Sequence, residues 1–236
     1  MAGAHGAARA VARARGGGVT AVVVMAKAPV PGRVKTRLCP PLSPDRAARL
    51  ASAFAVDTWA SAVRVAGPLA RLAYAGPRQR FAPPLRDAAG FAQVGGDLGA
   101  RIEHAARAGL ALADRAVVIG TDAPGLPPAL IAAAAAELAA CDAVLGPAVD
   151  GGYYLIGLRR CEPGLLADLP WSAPDTLRAT ERRLRARGFR VARLPVWFDV
   201  DDAAGLALLR AAIAAGAVDA PATKSALVQE EPCDCP

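Results

Sequence analysis

Four short segments of this chain concentrate residues able to bind phosphate, hold a cation or move a proton. The first, AKAPVPGRVKTRL, sets Lys27, Arg33, Lys35 and Arg37 around Gly32. Glycine lets backbone approach a ligand closely, arginine grips phosphate oxygens in pairs, and lysine acts as a point charge. Four cations crowded beside two prolines at the end of an apolar run read as a phosphate-binding loop. A Walker loop is excluded, because G-x-x-x-x-G-K-[ST] is absent even though Lys35-Thr36 echoes its end.

The second segment is GTDAPG (120–125), directly after the apolar run AVVI. Asp122 in that place suits Mg²⁺ or Mn²⁺ held against a diphosphate, with Thr121 beside it as a further phosphate contact. The same string also reads as a turn before Pro127. The third segment, GPAVDGGYY (146–154), reads as a hairpin turn. It reads equally as an acceptor surface, with Gly151, Gly152 and Tyr153 under a sugar ring and Asp150 as general base. The fourth is FDVDD (198–202): on a strand Asp199 and Asp201 point to one side and could share a metal, while Asp201 or Asp202 could cap a helix. Smaller signals are Asp97 at a Gly-rich helix entrance and Trp171 in PWS. His5 and His104 are the only histidines, so Ser–His, Cys–His and zinc chemistry are poorly supported.

The elements that must carry these segments alternate. Residues 19–25 (VTAVVVM) have the β-branched, unbroken apolar character of a buried parallel strand. Ser43-Pro44 opens a helix by N-cap and first-turn proline, continuing to about residue 65. Strands are expected at 69–75, 115–120, 142–146 and 153–158, and a last pair at 190–195 and 197–200. Helices are expected at 98–113, 127–140 and 202–215, while 77–90 shows no period. This alternation predicts a mostly parallel, mixed α/β sheet covered by helices on both faces. The expected organisation is a disordered Ala/Gly/Arg-rich leader over 1–18, one domain over 19–216 and a flexible tail over 217–236. Ligands of such sheets bind beyond the carboxyl ends of the strands, where all four segments fall.

The bulk numbers narrow the partners. The chain has 236 residues, 54% hydrophobic but only 5% aromatic, so its core is expected to be aliphatic. With 28 Lys+Arg against 21 Asp+Glu, the net charge is +7, carried almost wholly by arginine. That charge suits polyanionic ligands, and it also fits a simple compositional bias. No basic patch with interleaved aromatics marks nucleic-acid binding, and no apolar run is long enough for a membrane span. Five cysteines without framework spacing point to a reduced, cytoplasmic setting. Cys233 and Cys235 form a C-x-C in the expected tail.

Taken together, MAKAPVPGRVKTRLCPPLSP, GGDLGAR, GTDAPGL, GPAVDGGYYLIGL, PWSAP and FDVDD occur in an order that resembles the DUF2064 family. That family comprises GT-A-fold glycosyltransferases, including those assigned to arsenosugar biosynthesis and the radical-SAM/selenodomain-associated type. The resemblance spans roughly residues 19–212. It implies a GT-A (nucleotide-diphospho-sugar transferase, Rossmann-like) fold and binding of a nucleotide donor; the functional reading adds a small-molecule acceptor. It also implies donor contacts at Arg33, Lys35 and Arg37 and a metal-side carboxylate at Asp122; the residue pattern itself adds Asp199 or Asp201 as helpers. The usual D-x-D metal motif is not matched: Gly120 stands where its first Asp would be. Phospholactate guanylyltransferases resemble the chain too, and imply attack on a nucleoside triphosphate with pyrophosphate released. A non-catalytic nucleotide-binding module is the remaining reading.

Overall fold

The computed structural model describes residues 18–228. Among them, seven strands form one sheet: β1 (Thr20–Lys27), β2 (Ala70–Ala75), β3 (Gly90–Ala92), β4 (Arg115–Gly120), β5 (Ala143–Pro147), β6 (Tyr153–Leu158) and β7 (Val191–Arg193). Six helices accompany them: α1 (Pro44–Ala66), α2 (Leu98–Leu110), α3 (Pro128–Glu137), α4 (Thr176–Ala186), α5 (Ala203–Ala214) and α6 (Pro221–Val228). The spatial order is β3-β2-β1-β4-β6-β5-β7. Only β6 runs against its neighbours, pairing antiparallel with β4 and with β5. The remaining pairs are parallel.

The unbroken apolar strands follow from burial on both faces. Val22 and Val24 of β1, with Val117 and Ile119 of β4, pack under Ala55, Trp59 and Ala62 of α1 and Ile131 and Ala134 of α3. Their alternates Val23 and Val118 face Ile102, Ala105 and Ala106 of α2 and Leu184 of α4. A third cluster of buried residues draws on no strand. Leu38, Leu50, Phe54, Val200, Leu206 and Val218 there join the basic loop to α1, α5 and the chain after α5. The chain leaves β1 toward β2 on one side and reaches β4 on the other, so the β1–β4 boundary is the switch point of the sheet.

Several expectations need correction. Residues 197–200 are not a strand: a single bridge joins Trp197 to Ala148, and the Val200 N–H donates to the Asp122 carbonyl at 2.8 Å instead of a ladder. Asp199 and Asp201 therefore sit on a loop. The unassigned stretch after Trp171 forms α4, whose Leu177, Thr180 and Leu184 stripe is narrow among arginines. Residues 77–90 contain two short 3₁₀ turns and the start of β3. Part of the expected tail is structured: α6 packs on α1, and the buried Asp57 carboxylate accepts the N–H groups of Ala222 (3.0 Å) and Thr223 (2.8 Å). That carboxylate satisfies helix-terminal donors which a free tail would leave to water. The leader over 1–17, residues 229–236 and with them Cys233 and Cys235 lie outside the described residues.

Candidate functional site

A cleft of about 680 Å³ opens at the carboxyl ends of β1 and β4, beside the start of β6. It unites all four segments. Its lining includes the cations Lys27, Arg33 and Arg37 and the carboxylates Asp122, Asp150, Asp199 and Asp201. Thr121, Gly152, Tyr153 and Trp171 also line it. Asp97 and Gly151 do not. Asp97 caps α2, its Oδ1 accepting the Ala100 N–H at 2.8 Å. Gly151 has φ +89°, and a Cβ there would meet the Pro174 carbonyl oxygen at 2.1 Å, so it serves close packing of the turn on the 170s loop. The hairpin reading of Asp-Gly-Gly holds as well: Gly152 N–H donates to Asp150 Oδ1 at 2.8 Å, closing the β5–β6 turn.

The four cations of the first loop divide. Arg33, Arg37 and Lys27 are exposed. None of their side chains has a hydrogen-bond or ion-pair partner among the described residues. Lys35 lies on the acidic side. Its side chain is only 7% exposed, and its Nζ donates to the Val200 carbonyl (2.8 Å) and Asp201 Oδ1 (2.8 Å), and is paired with Asp122 Oδ1. Burial alone would lower its pKa, but Asp122 and Asp201 outweigh that and raise it above the ordinary lysine value. The Lys35 backbone is left-handed, φ 47°, a conformation that disfavours a side chain. Its charge is thus spent on carboxylates, unlike that of its neighbours.

Asp199 is pushed upward by burial first, then by Asp150 and Asp201 nearby; Lys35 pulls it down less. This is the signature of carboxylates whose repulsion is only partly relieved. The oxygen set suits a hard ion such as Mg²⁺ or Mn²⁺, with Asp122, Asp199 and Asp201 as its holders. Lys35 already stands between two of them, however. No group of three or more His, Cys, Asp or Glu side chains converges as a metal cage among the described residues.

In the same lining, Tyr153 and Trp171 meet edge to face at 6.3 Å. The Tyr153 hydroxyl is buried and faces Thr180 without meeting hydrogen-bond geometry, and burial raises its pKa. Tyr154 donates to the Pro195 carbonyl at 3.0 Å, and burial pushes its hydroxyl up to about 12. Sequence reasoning missed Gln93, which lines the cleft just after β3. Its Nε2 donates to the carbonyls of Ala73 (2.9 Å) and Ala26 (3.4 Å), which turns Oε1 away from both. No spacing signal marks it, because β3 is only three residues long.

The family described as "Uncharacterized protein conserved in bacteria (DUF2064)" matches residues 49–173. A crystal structure from Desulfovibrio desulfuricans G20, provisionally described as a nucleotide-diphospho-sugar transferase, is 32% identical. The match covers 78% of this chain and 82% of that one, with a TM-score of 0.70. The chain belongs to the DUF2064 family. CMP:2-keto-3-deoxy-manno-octonic acid synthetase complexed with CTP is similar in fold alone, at 16% identity and TM-score 0.54 over 84% of this chain and 99% of that one. No curated protein matches the chain in sequence. The α/β architecture is therefore that of the nucleotide-diphospho-sugar transferases, and the cleft lies at the β1–β4 switch point of that fold.

Proposed function

We propose that this family member is a glycosyltransferase, moving a sugar from a nucleoside-diphosphate donor to a small-molecule acceptor with divalent-metal assistance. The observation that carries this reading is that one cleft is lined both by cations whose side chains have no partner among the described residues and by four carboxylates. The description of the Desulfovibrio relative supports the donor class. Arg33 and Arg37 would grip the diphosphate, with Lys27 and Thr121 at its margin. As the bond from the anomeric carbon to the diphosphate oxygen breaks, charge grows on that oxygen, and preorganised guanidinium groups stabilise it.

The acceptor would enter between Asp150 and the Tyr153–Trp171 wall. Asp150, whose Oδ1 holds the turn, would take the proton of the attacking hydroxyl on Oδ2. A divalent metal, when bound by Asp122, Asp199 and Asp201, supplies further neutralisation of the leaving diphosphate. The test is product analysis with a panel of nucleotide-sugars and nucleoside triphosphates plus acceptors and Mg²⁺ or Mn²⁺. Released nucleoside diphosphate supports glycosyl transfer. Pyrophosphate would instead make the protein a nucleotidyltransferase, and binding without turnover a nucleotide-binding module.

A further inference from the structure

Lys35 Nζ stands where three oxygens converge from two loops: Asp122 Oδ1 from one, and Asp201 Oδ1 and the Val200 carbonyl from the other. Two carboxylates and a carbonyl are the donors a hard divalent ion takes. The ammonium has three protons and three acceptors, so nothing remains to bind phosphate in this posture. It also reaches the oxygens from within, its side chain 7% exposed while those of Asp122 and Asp201 are 59% and 44% exposed. The carboxylates thus open to the cleft and the ammonium backs them, 5.7 Å from the centroid of the Phe54 ring.

We propose that this three-oxygen nest is a cation site held by the Lys35 ammonium in the free protein, and that a divalent ion binds there only by displacing it. The inference rests on the proposed donor chemistry for its use, since an incoming diphosphate is the anion able to draw Lys35 out of the nest. Charge favours the exchange. The carboxylates of Asp122, Asp150, Asp199 and Asp201 face one cleft, and one ammonium offsets them less than a divalent ion does. Ammonium and ion cannot share the nest, because two cations at contact distance repel.

Mn²⁺ alone, titrated against the full chain by electron paramagnetic resonance, tests the nest without nucleotide or turnover. Lys35→Met should bind Mn²⁺ at least about tenfold more tightly than the parent protein, and adding Asp201→Asn should remove that gain. Unchanged or weaker binding in Lys35→Met overturns the proposal. Because the parent has only Lys27, Lys35 and Lys224, amine NMR gives a readout that needs no variant. The Lys35 ammonium resonance should move when the parent protein binds Mg²⁺; an unmoved signal at saturation overturns the proposal. Neither result depends on the identity of the donor, so a failed sugar-transfer assay leaves this test standing.

Discussion

Asp199 is the residue whose environment makes the sharpest demand. Burial comes first and Asp150 and Asp201 second in raising its carboxyl. The folded chain then holds that proton more tightly than the unfolded chain. Stability therefore falls as pH rises from the ordinary carboxylate value of 3.8 through the raised one, and the penalty stays above it. Asp199→Asn should raise the melting temperature at pH 7, with the difference shrinking below pH 3.8; calorimetry across that range decides it. Asp150→Asn should lower kcat by about 10²–10⁴ with little change in KM if Asp150 is the base, and steady-state kinetics separates the two. The types of these residues were legible in the sequence, as was their gathering at strand ends. The partners of Lys35 were not: its bond to Asp201 joins positions 166 apart, and no local pattern encodes such a pair.

At the scale of elements, the strands that frame the cleft were the most legible part. β1 and β4 are β-branched, continuously apolar and bounded by Gly or Pro, so composition alone marked them as buried parallel strands. α4 and α6 were not legible. α4 hides a short apolar stripe among arginines, and α6 owes its place to the Asp57 cap rather than to a periodic face. This docked segment supports the site loop: Gly125, φ +69°, lies so near that a Cβ would meet Val218 Cγ1 at 2.2 Å. Asp57→Ala should cost about 1–3 kcal/mol in denaturant unfolding, because two buried N–H groups lose their acceptor. It should also expose residues 217–228 to limited proteolysis. A Gly125→Ala chain that melts at the parent temperature would show that the close approach does not constrain the loop.

The whole molecule carries a net charge of +7, yet its cleft is balanced rather than uniformly basic. Charge summed over the sequence suggested a polyanion partner in general; the folded arrangement puts Lys27, Arg33 and Arg37, without side-chain partners among the described residues, in one cleft with four carboxylates. No helix among the described residues is long and apolar enough to cross a membrane. The cleft lies at the β1–β4 switch point, where β1 delivers the basic loop and β4 delivers Thr121-Asp122. The most direct measurement is isothermal titration calorimetry of nucleoside diphosphates with Mg²⁺, comparing the parent protein with Arg33→Ala/Arg37→Ala. Loss of about 1–3 kcal/mol per arginine, lessened at high salt, is the predicted result. Equal affinity in the double variant, or no nucleoside diphosphate bound by the parent, would contradict the account.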